Sequence, residues 1–411
     1  MQEDLRNLVN ALVERPVESS AQSAPSHEQR LKGRVVLACS GIGHVNRGYE
    51  ASVSELFAAI ASRGDVQLYQ GKGSFPGKRS VTTIGRRAAL YRAWPFSRTS
   101  EYARYRNENL SFAVHFASSL FRRPADIVFT PDHCLAGYLQ KMRAWLPRKP
   151  TVVFSNGAPF ENQFCERFEA VHQKSYEHYA ASEGTPLQQR SWLIANGFSA
   201  QRLSQPVGFS RSEVLNRYNV DPRSKVVLSL SAHNKSHKRV DWLLREFATL
   251  DQAKFTLIVA GQPTGDSEEL QQLSADLRCN VRFLTVPQEL VPELIWASDL
   301  MTLCSLSEGF PRSIAEAMGG ERHVFVHPHQ NAKWILGDNE YCFVDMEEKS
   351  ALANALRDAC NNPEKVAMSA RSIHQRFLDN FTWERVSDVY VAMFAEIMDL
   401  RRASEHGGSG G

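Results

Sequence analysis

At 411 residues, 43% of them hydrophobic and 23% charged, the chain exceeds what one ordinary core takes, so two soluble globular domains are expected and a disordered or fibrous class is excluded. A net charge of +3 is too small to call for a polyanionic partner, so nucleic acid is not expected. Seven cysteines with no C-x-x-C pair argue against a zinc site or disulfide framework, and their apolar neighbours suit buried reduced thiols.

The first 30 residues split into two parts. "MQEDLRNLVNALVE" predicts a short amphipathic helix with Leu5, Leu8, Val9 and Leu12 on one side, and "RPVESSAQSAPSHEQR" a flexible linker. The stretch lacks a signal-peptide h-region, and no run reaches the ~18 apolar residues of a membrane span. A cytoplasmic location is expected, with peripheral contact at the inner membrane face as an option.

From Arg34, strand and helix patterns alternate. "RVVLACSG" reads as a buried strand. Tyr49, Val53, Leu56, Phe57 and Ile60 then recur at helical spacing. "DVQLYQGKG", "ADIVFTPD", "PTVVFSNG" and "SWLIANG" read as further strands. A second cycle begins near Lys225 with "KVVLSLSA", "KFTLIVAGQP", "VRFLTVP", "DLMTLCSLS" and "HVFVHP". Such alternation predicts an α/β chain of two doubly wound, Rossmann-like domains with parallel sheets. The expected bounds are 31–208 and 209–382, then a helix over 383–402 packing back towards the first domain. Residues 403–411 are a tail ending in Gly-Gly-Ser-Gly-Gly, of the kind an expression tag leaves. Ligands of such sheets sit beyond the carboxyl ends of the strands, and with two domains the cleft between them is the expected active site.

Three loops carry candidate chemistry. "CSGIGHVNRGYE" puts Gly41, Gly43 and Gly48 between a strand and a helix. The third position of a nicotinamide fingerprint is occupied by Asn46, so a dinucleotide site is a poor fit. Backbone approach to a ligand and a structural turn both remain open. "SLSAHNKSHKRVDWL" places His233, Lys235, His237, Lys238 and Arg239 at the matching turn of the second domain, which suits a phosphate or a solvated loop. "SEGFPRSIAEAM" sets Glu308 before a helix expected to start at Pro311, with Glu316 inside it. The amides of Gly309, Phe310 and Arg312 suit an anion there. Glu316 suits ribose hydroxyls and Glu308 a sugar, although capping and surface roles explain both equally.

Together these residues resemble GT-B glycosyltransferases, specifically glycosyltransferase family 4, whose retaining enzymes carry a Glu-x7-Glu motif like "EGFPRSIAE" followed by Ala-Met. The likeness runs through "VPQELVPELIWASDLMTLCSLSEGFP", "FTWERVSDVY", "GIGHVNRG" and "ANGF", over roughly residues 34–397. It implies a retaining transferase moving a sugar from a UDP- or GDP-sugar to a glycan, glycolipid or lipid-linked acceptor in polysaccharide or glycoconjugate biosynthesis. By carry-over, Lys238 faces the diphosphate with Gly309, Phe310 and Pro311 beside it. Glu316 then meets the ribose and Glu308 the donor sugar, and Gly43 approaches the donor. The family commonly has arginine where this chain has His233, and "GGERHVF" departs from the family's small-Cys-Gly-x-Pro.

No Asp-x-Asp occurs, so no metal cofactor is expected, with helix dipole and cations in its place. Asp132, His133 and His44 are candidate bases, and Asp132 suits a helix cap equally. Transfer on the donor's front face, with the leaving phosphate taking the proton, needs no base. Between Gly77 and Arg106 lie eight Lys or Arg and one acid, interleaved with Tyr91, Trp94, Phe96, Tyr102 and Tyr105. Arg86, Arg87 and Arg92 are therefore expected on an acceptor or anionic-membrane face, or in a solvated loop. A nucleotide-sugar epimerase on the same scaffold and a non-catalytic sugar- or phosphate-binding module are the competing readings.

Overall fold

The computed structural model describes residues 30–407 apart from 45–47, 74–77, 87, 94 and 158–159. The expected N-terminal helix and Arg87 lie outside the described residues. Two compact units result: the described residues up to Gly197 together with those from Trp383, and Phe198–Thr382. The boundary thus falls ahead of the expected 208/209. Residues 198–208 join the second unit because Phe198 N–H donates to the Phe381 carbonyl (2.8 Å) and Trp296 Nε1 to the Leu203 carbonyl (2.8 Å).

The first unit holds a parallel seven-stranded sheet in the order β3-β2-β1-β4-β5-β6-β7. Its strands are β1 (Arg34–Cys39), β2 (Asp65–Gln70), β3 (Lys78–Ser80), β4 (Ile127–Thr130), β5 (Thr151–Asn156), β6 (Ala170–Gln173) and β7 (Ser191–Leu193). Strands β1, β4 and β5 are buried along their whole length, which is why they read as unbroken apolar runs. Helices α1 (Gly48–Ile60), α2 (Glu101–Arg122), α3 (His133–Met142) and the C-terminal α7 (Trp383–Gly407) belong to this unit. Helix α2 starts where Ser100 Oγ accepts from Ala103 N–H (3.2 Å), with Glu101 in its first turn and Arg122 in its last. Helix α7 inserts Val386, Tyr390, Val391, Phe394 and Ile397 into the core formed by β1, β4 and α1.

The second unit is a parallel five-stranded sheet in the order β10-β9-β8-β11-β12. Its strands are β8 (Lys225–Leu230), β9 (Phe255–Ala260), β10 (Val281–Leu284), β11 (Leu300–Leu303) and β12 (Val324–Val326). Helices α4 (Val240–Phe247), α5 (Arg312–Gly319) and α6 (Gln330–Leu336) matter below. In each sheet the chain reverses its direction of winding once, between β1 and β4 and between β8 and β11. Loops leaving those strand pairs diverge and open a crevice at the carboxyl edge, the favoured ligand position of doubly wound folds. All seven cysteines are free, with Cys39, Cys165, Cys304 and Cys342 buried. Among the described residues no helix is long and apolar enough to cross a membrane.

Candidate active site

The second unit's switch point gathers most of the residues expected at the donor. After β8 the chain makes an open turn in which Asn234 Oδ1 accepts from the backbone N–H groups of His237 and Lys238 (both 2.9 Å). Arg239 follows at φ 51° and begins α4. It is anchored through Nη1 to the Met346 carbonyl (2.7 Å) and stacks on Trp242. This turn aims Lys238 Nζ at Glu308 Oε1, where the two form a salt bridge. His237 Nε2 donates to the Ser307 carbonyl (3.1 Å) and lies 3.6 Å from Glu308 Oε2. The Glu308 side chain is 8% exposed, so its charge is balanced chiefly by the Lys238 ammonium. Asn331, at the start of α6, donates to the Glu308 carbonyl (2.6 Å). His329 stands nearby, where burial pushes its imidazole down to about 4 while Glu308 pulls the other way.

Pro311 is the residue before α5, not its first turn, at ψ 94°, and the helix begins at Arg312. Arg312 stacks on Phe198 (4.6 Å), and Phe310 packs among Phe198, Trp334 and Phe381. Gly309 is exposed and Glu316 half-buried one turn into the helix. The acid before the helix and the acid inside it therefore differ in surroundings: Glu308 is tied to Lys238 of the β8 turn, and Glu316 lies along α5.

His233 departs from expectation. Its residue is 4% exposed, its ring meets Phe283 edge-on at 5.2 Å, and burial lowers its pKa. A packed neutral imidazole replaces the cation that the family's arginine would supply, and loop position comes instead from its backbone, whose N–H donates to Gln262 (3.0 Å).

In the first unit the switch point is a closed polar network. Asp132 is fully buried and accepts from Ser40 N–H (3.1 Å), Ser40 Oγ (3.3 Å), Tyr49 Oη (3.2 Å) and Tyr105 Oη (3.1 Å). These hydrogen bonds tie the loop after β4 to Ser40, α1 and α2, and Asp132 makes no side-chain cap to α3, so the expected cap role is not seen. His133 is half-buried against Phe160 (4.8 Å) and Tyr105 (5.4 Å), and burial lowers its pKa. His44 Nε2 sits 3.2 Å from Glu108 Oε2. Gly43 has φ 94°, and a Cβ there would lie 2.0 Å from the Lys72 carbonyl oxygen, so only glycine fits.

Glu108, absent from the sequence reading, also explains Arg86. The guanidinium donates through Nε (3.0 Å) and Nη2 (2.7 Å) to Glu108, and its backbone N–H adds a third bond (2.6 Å). Arg86 is therefore an internal clamp, 11% exposed, and not part of an open face. Burial works against the Glu108 carboxylate, yet hydrogen bonds from His44 and Arg86 bring it down to about 2. Arg92 is exposed as expected. Tyr91 is buried under Arg104 (5.1 Å), and Tyr105 turns inward to Asp132. The basic aromatic stretch is thus partly folded into the unit. The signal for its inward half was Glu108, the one acid of α2 beyond its first turn, set one helical turn after Arg104.

Among the described residues no three His, Cys, Asp or Glu side chains are grouped to hold a metal ion. No curated protein sequence matches the chain. Its fold is similar to that of Anabaena HepE in complex with UDP (TM-score 0.68, 16% identity, 90% of this chain and 100% of that one). It is also similar to sucrose-phosphate synthase from Thermosynechococcus elongatus (0.71, 14%, 90% and 100%). A third similar fold is the α,α-trehalose 6-phosphate synthase from Burkholderia multivorans (0.65, 15%, 90% and 100%). The two doubly wound units are those of the GT-B fold. Residues 224–362, the stretch that carries Lys238, Glu308 and Glu316, match the family model described as "Glycosyl transferases group 1".

Proposed function

We propose that the protein is a retaining, family 4-like glycosyltransferase that uses a nucleotide-diphospho-sugar, with UDP favoured over GDP. The observation that carries this reading is the Lys238–Glu308 pair at the β8/β11 switch point, beside the start of α5 and inside the group 1 segment. The preference for UDP rests on neighbours whose structures contain UDP or UDP-2-fluoro glucose.

An ammonium has three donors, so Lys238 can hold Glu308 and still meet diphosphate oxygens. The α5 amides favour the distal phosphate. Glu316 takes the ribose hydroxyls and Glu308 the sugar hydroxyls. Transfer proceeds on the donor's front face and needs no protein base. The bond from the anomeric carbon to the diphosphate oxygen breaks, the acceptor oxygen bonds to the same face, and the acceptor's proton passes to the departing diphosphate. The acceptor is a glycan, glycolipid or lipid-linked sugar, and exposed Arg92 is a cation available to an anionic one.

The test is a panel of UDP- and GDP-sugars with calorimetry and product analysis. Glu316→Gln should weaken UDP binding by about 1.5–3 kcal/mol through the lost charged hydrogen bonds. Glu308→Gln should retain UDP binding, since a negative charge beside the diphosphate is removed, while turnover falls by about a hundredfold or more. Recovery of an epimerised nucleotide sugar would make the protein an epimerase. Tight UDP binding without hydrolysis or transfer would make it a binding module.

A further inference from the structure

The amino edge of the first unit's sheet, opposite its switch-point edge, holds a cavity of ≈ 640 Å³ that the proposed activity does not use. Six cations line it: Lys32, Arg143, Arg148, Lys149, Arg401 and Arg402. The one acid in its wall is Asp126, already committed to Arg34 N–H (2.8 Å) and to Arg148 (3.3 Å).

Two of the guanidinium groups, those of Arg401 and Arg143, are anchored by neutral carbonyls, which fix position without cancelling charge. Arg401 donates to the carbonyls of Asp126 (2.9 Å), Lys149 (3.3 Å) and Arg148. Arg143 Nε donates to the Pro150 carbonyl (3.0 Å), and its Nη1 pairs with Glu169 (2.9 Å). Arg402 reaches Asp399 (3.2 Å). The carboxylates of Asp126, Glu169 and Asp399 offset part of this charge.

Arg148 and Lys149 are consecutive and both left-handed, at φ 61° and 41°. Glycine or asparagine adopts that backbone at less cost, so the turn alone does not call for two long cations. Trp145, in the turn that begins at Arg143, is 76% exposed, and Leu400 is 37% exposed beside Arg401.

We infer that this cavity binds a phosphate-bearing anion, a chemistry shared by a soluble phosphorylated metabolite and an anionic phospholipid headgroup. Fixed guanidinium forks suit phosphate oxygens bidentately, and exposed Trp145 suits a membrane interface. The site lies in a different unit from Lys238 and Glu308, so it stands apart from the donor reading.

The experiment uses the full chain at low salt with two probes, inositol hexakisphosphate by calorimetry and phosphatidylglycerol–phosphatidylcholine vesicles by sedimentation. The variant is Lys32→Gln/Lys149→Gln, whose side chains are exposed, with thermal unfolding measured to show an intact fold. Lys349→Gln, an exposed cation of the second unit, is the control. Binding of the soluble probe, weakened about tenfold or more in the double variant and not in Lys349→Gln, supports a soluble ligand. Vesicle binding lost in the double variant, without affinity for the soluble probe, supports a headgroup site. UDP affinity stays unchanged in both cases. If the parent binds neither probe, or the folded double variant binds as the parent does, the inference is overturned.

Discussion

His172 shows how strongly one buried residue can tie stability to pH. It sits in β6 with Nδ1 2.9 Å from Ser155 Oγ and Nε2 2.9 Å from the Ile194 carbonyl. Burial, with Lys174 adding to it, pushes its pKa down to about 3. Below the unfolded value near 6.5 the unfolded chain takes up a proton that the folded chain refuses, so its contribution falls as pH drops from about 6.5 towards 3. His172→Gln should flatten the slope of unfolding free energy against pH in that window, as chemical denaturation at a series of pH values would read. Glu108 acts in a lower window, about 4.5 down to 2, because its depressed carboxyl stabilises the fold only while ionised. Glu108→Gln leaves Arg86 and His44 without their anion and should cost about 3–5 kcal/mol by denaturant titration.

Loop position, at the scale of single elements, depends on backbones that touch. Gly261 directly follows β9, and a Cβ there would lie 2.0 Å from the Ser231 carbonyl oxygen at the head of the turn that carries Lys238. Gly261→Ala should shift that turn and weaken UDP binding while the sheet survives, which calorimetry alongside circular dichroism would show. Gly43→Ala meets both a clash at Lys72 and a left-handed φ. It should lower thermal stability of the first unit, by about 1–3 kcal/mol for the strained backbone alone.

The discontinuous first unit sets the prediction for the whole molecule. Helix α7 buries Val386, Tyr390, Val391, Met393, Phe394, Ile397 and Met398 in its core. At roughly 1.5–3 kcal/mol per large apolar side chain, their loss sums to about 10–20 kcal/mol, at or above the 5–15 kcal/mol that holds a typical domain together. A chain ending at Thr382 should lose the first unit's folding transition in calorimetry.

The sequence by itself determined most of the strands of both units, because a strand covered on both faces carries a continuous apolar run, as in β9 and in the centres of β1, β5 and β8. It also determined which turns carry cations and acids, so Lys238 and Glu308 were legible before they were seen as a pair. Short β3 and β6 escaped because Lys78–Ser80 and Ala170–Gln173 carry too few residues for a period to register. Only tertiary structure decided the surroundings and partners of His233, Asp132 and Arg86. Their environments come from residues distant in the chain: Phe283 for His233, Ser40 and Tyr49 for Asp132, and Glu108 for Arg86. Local sequence reports which group a loop carries, while burial and long-range pairing decide whether that group is a cation for a ligand or a fixed part of the frame.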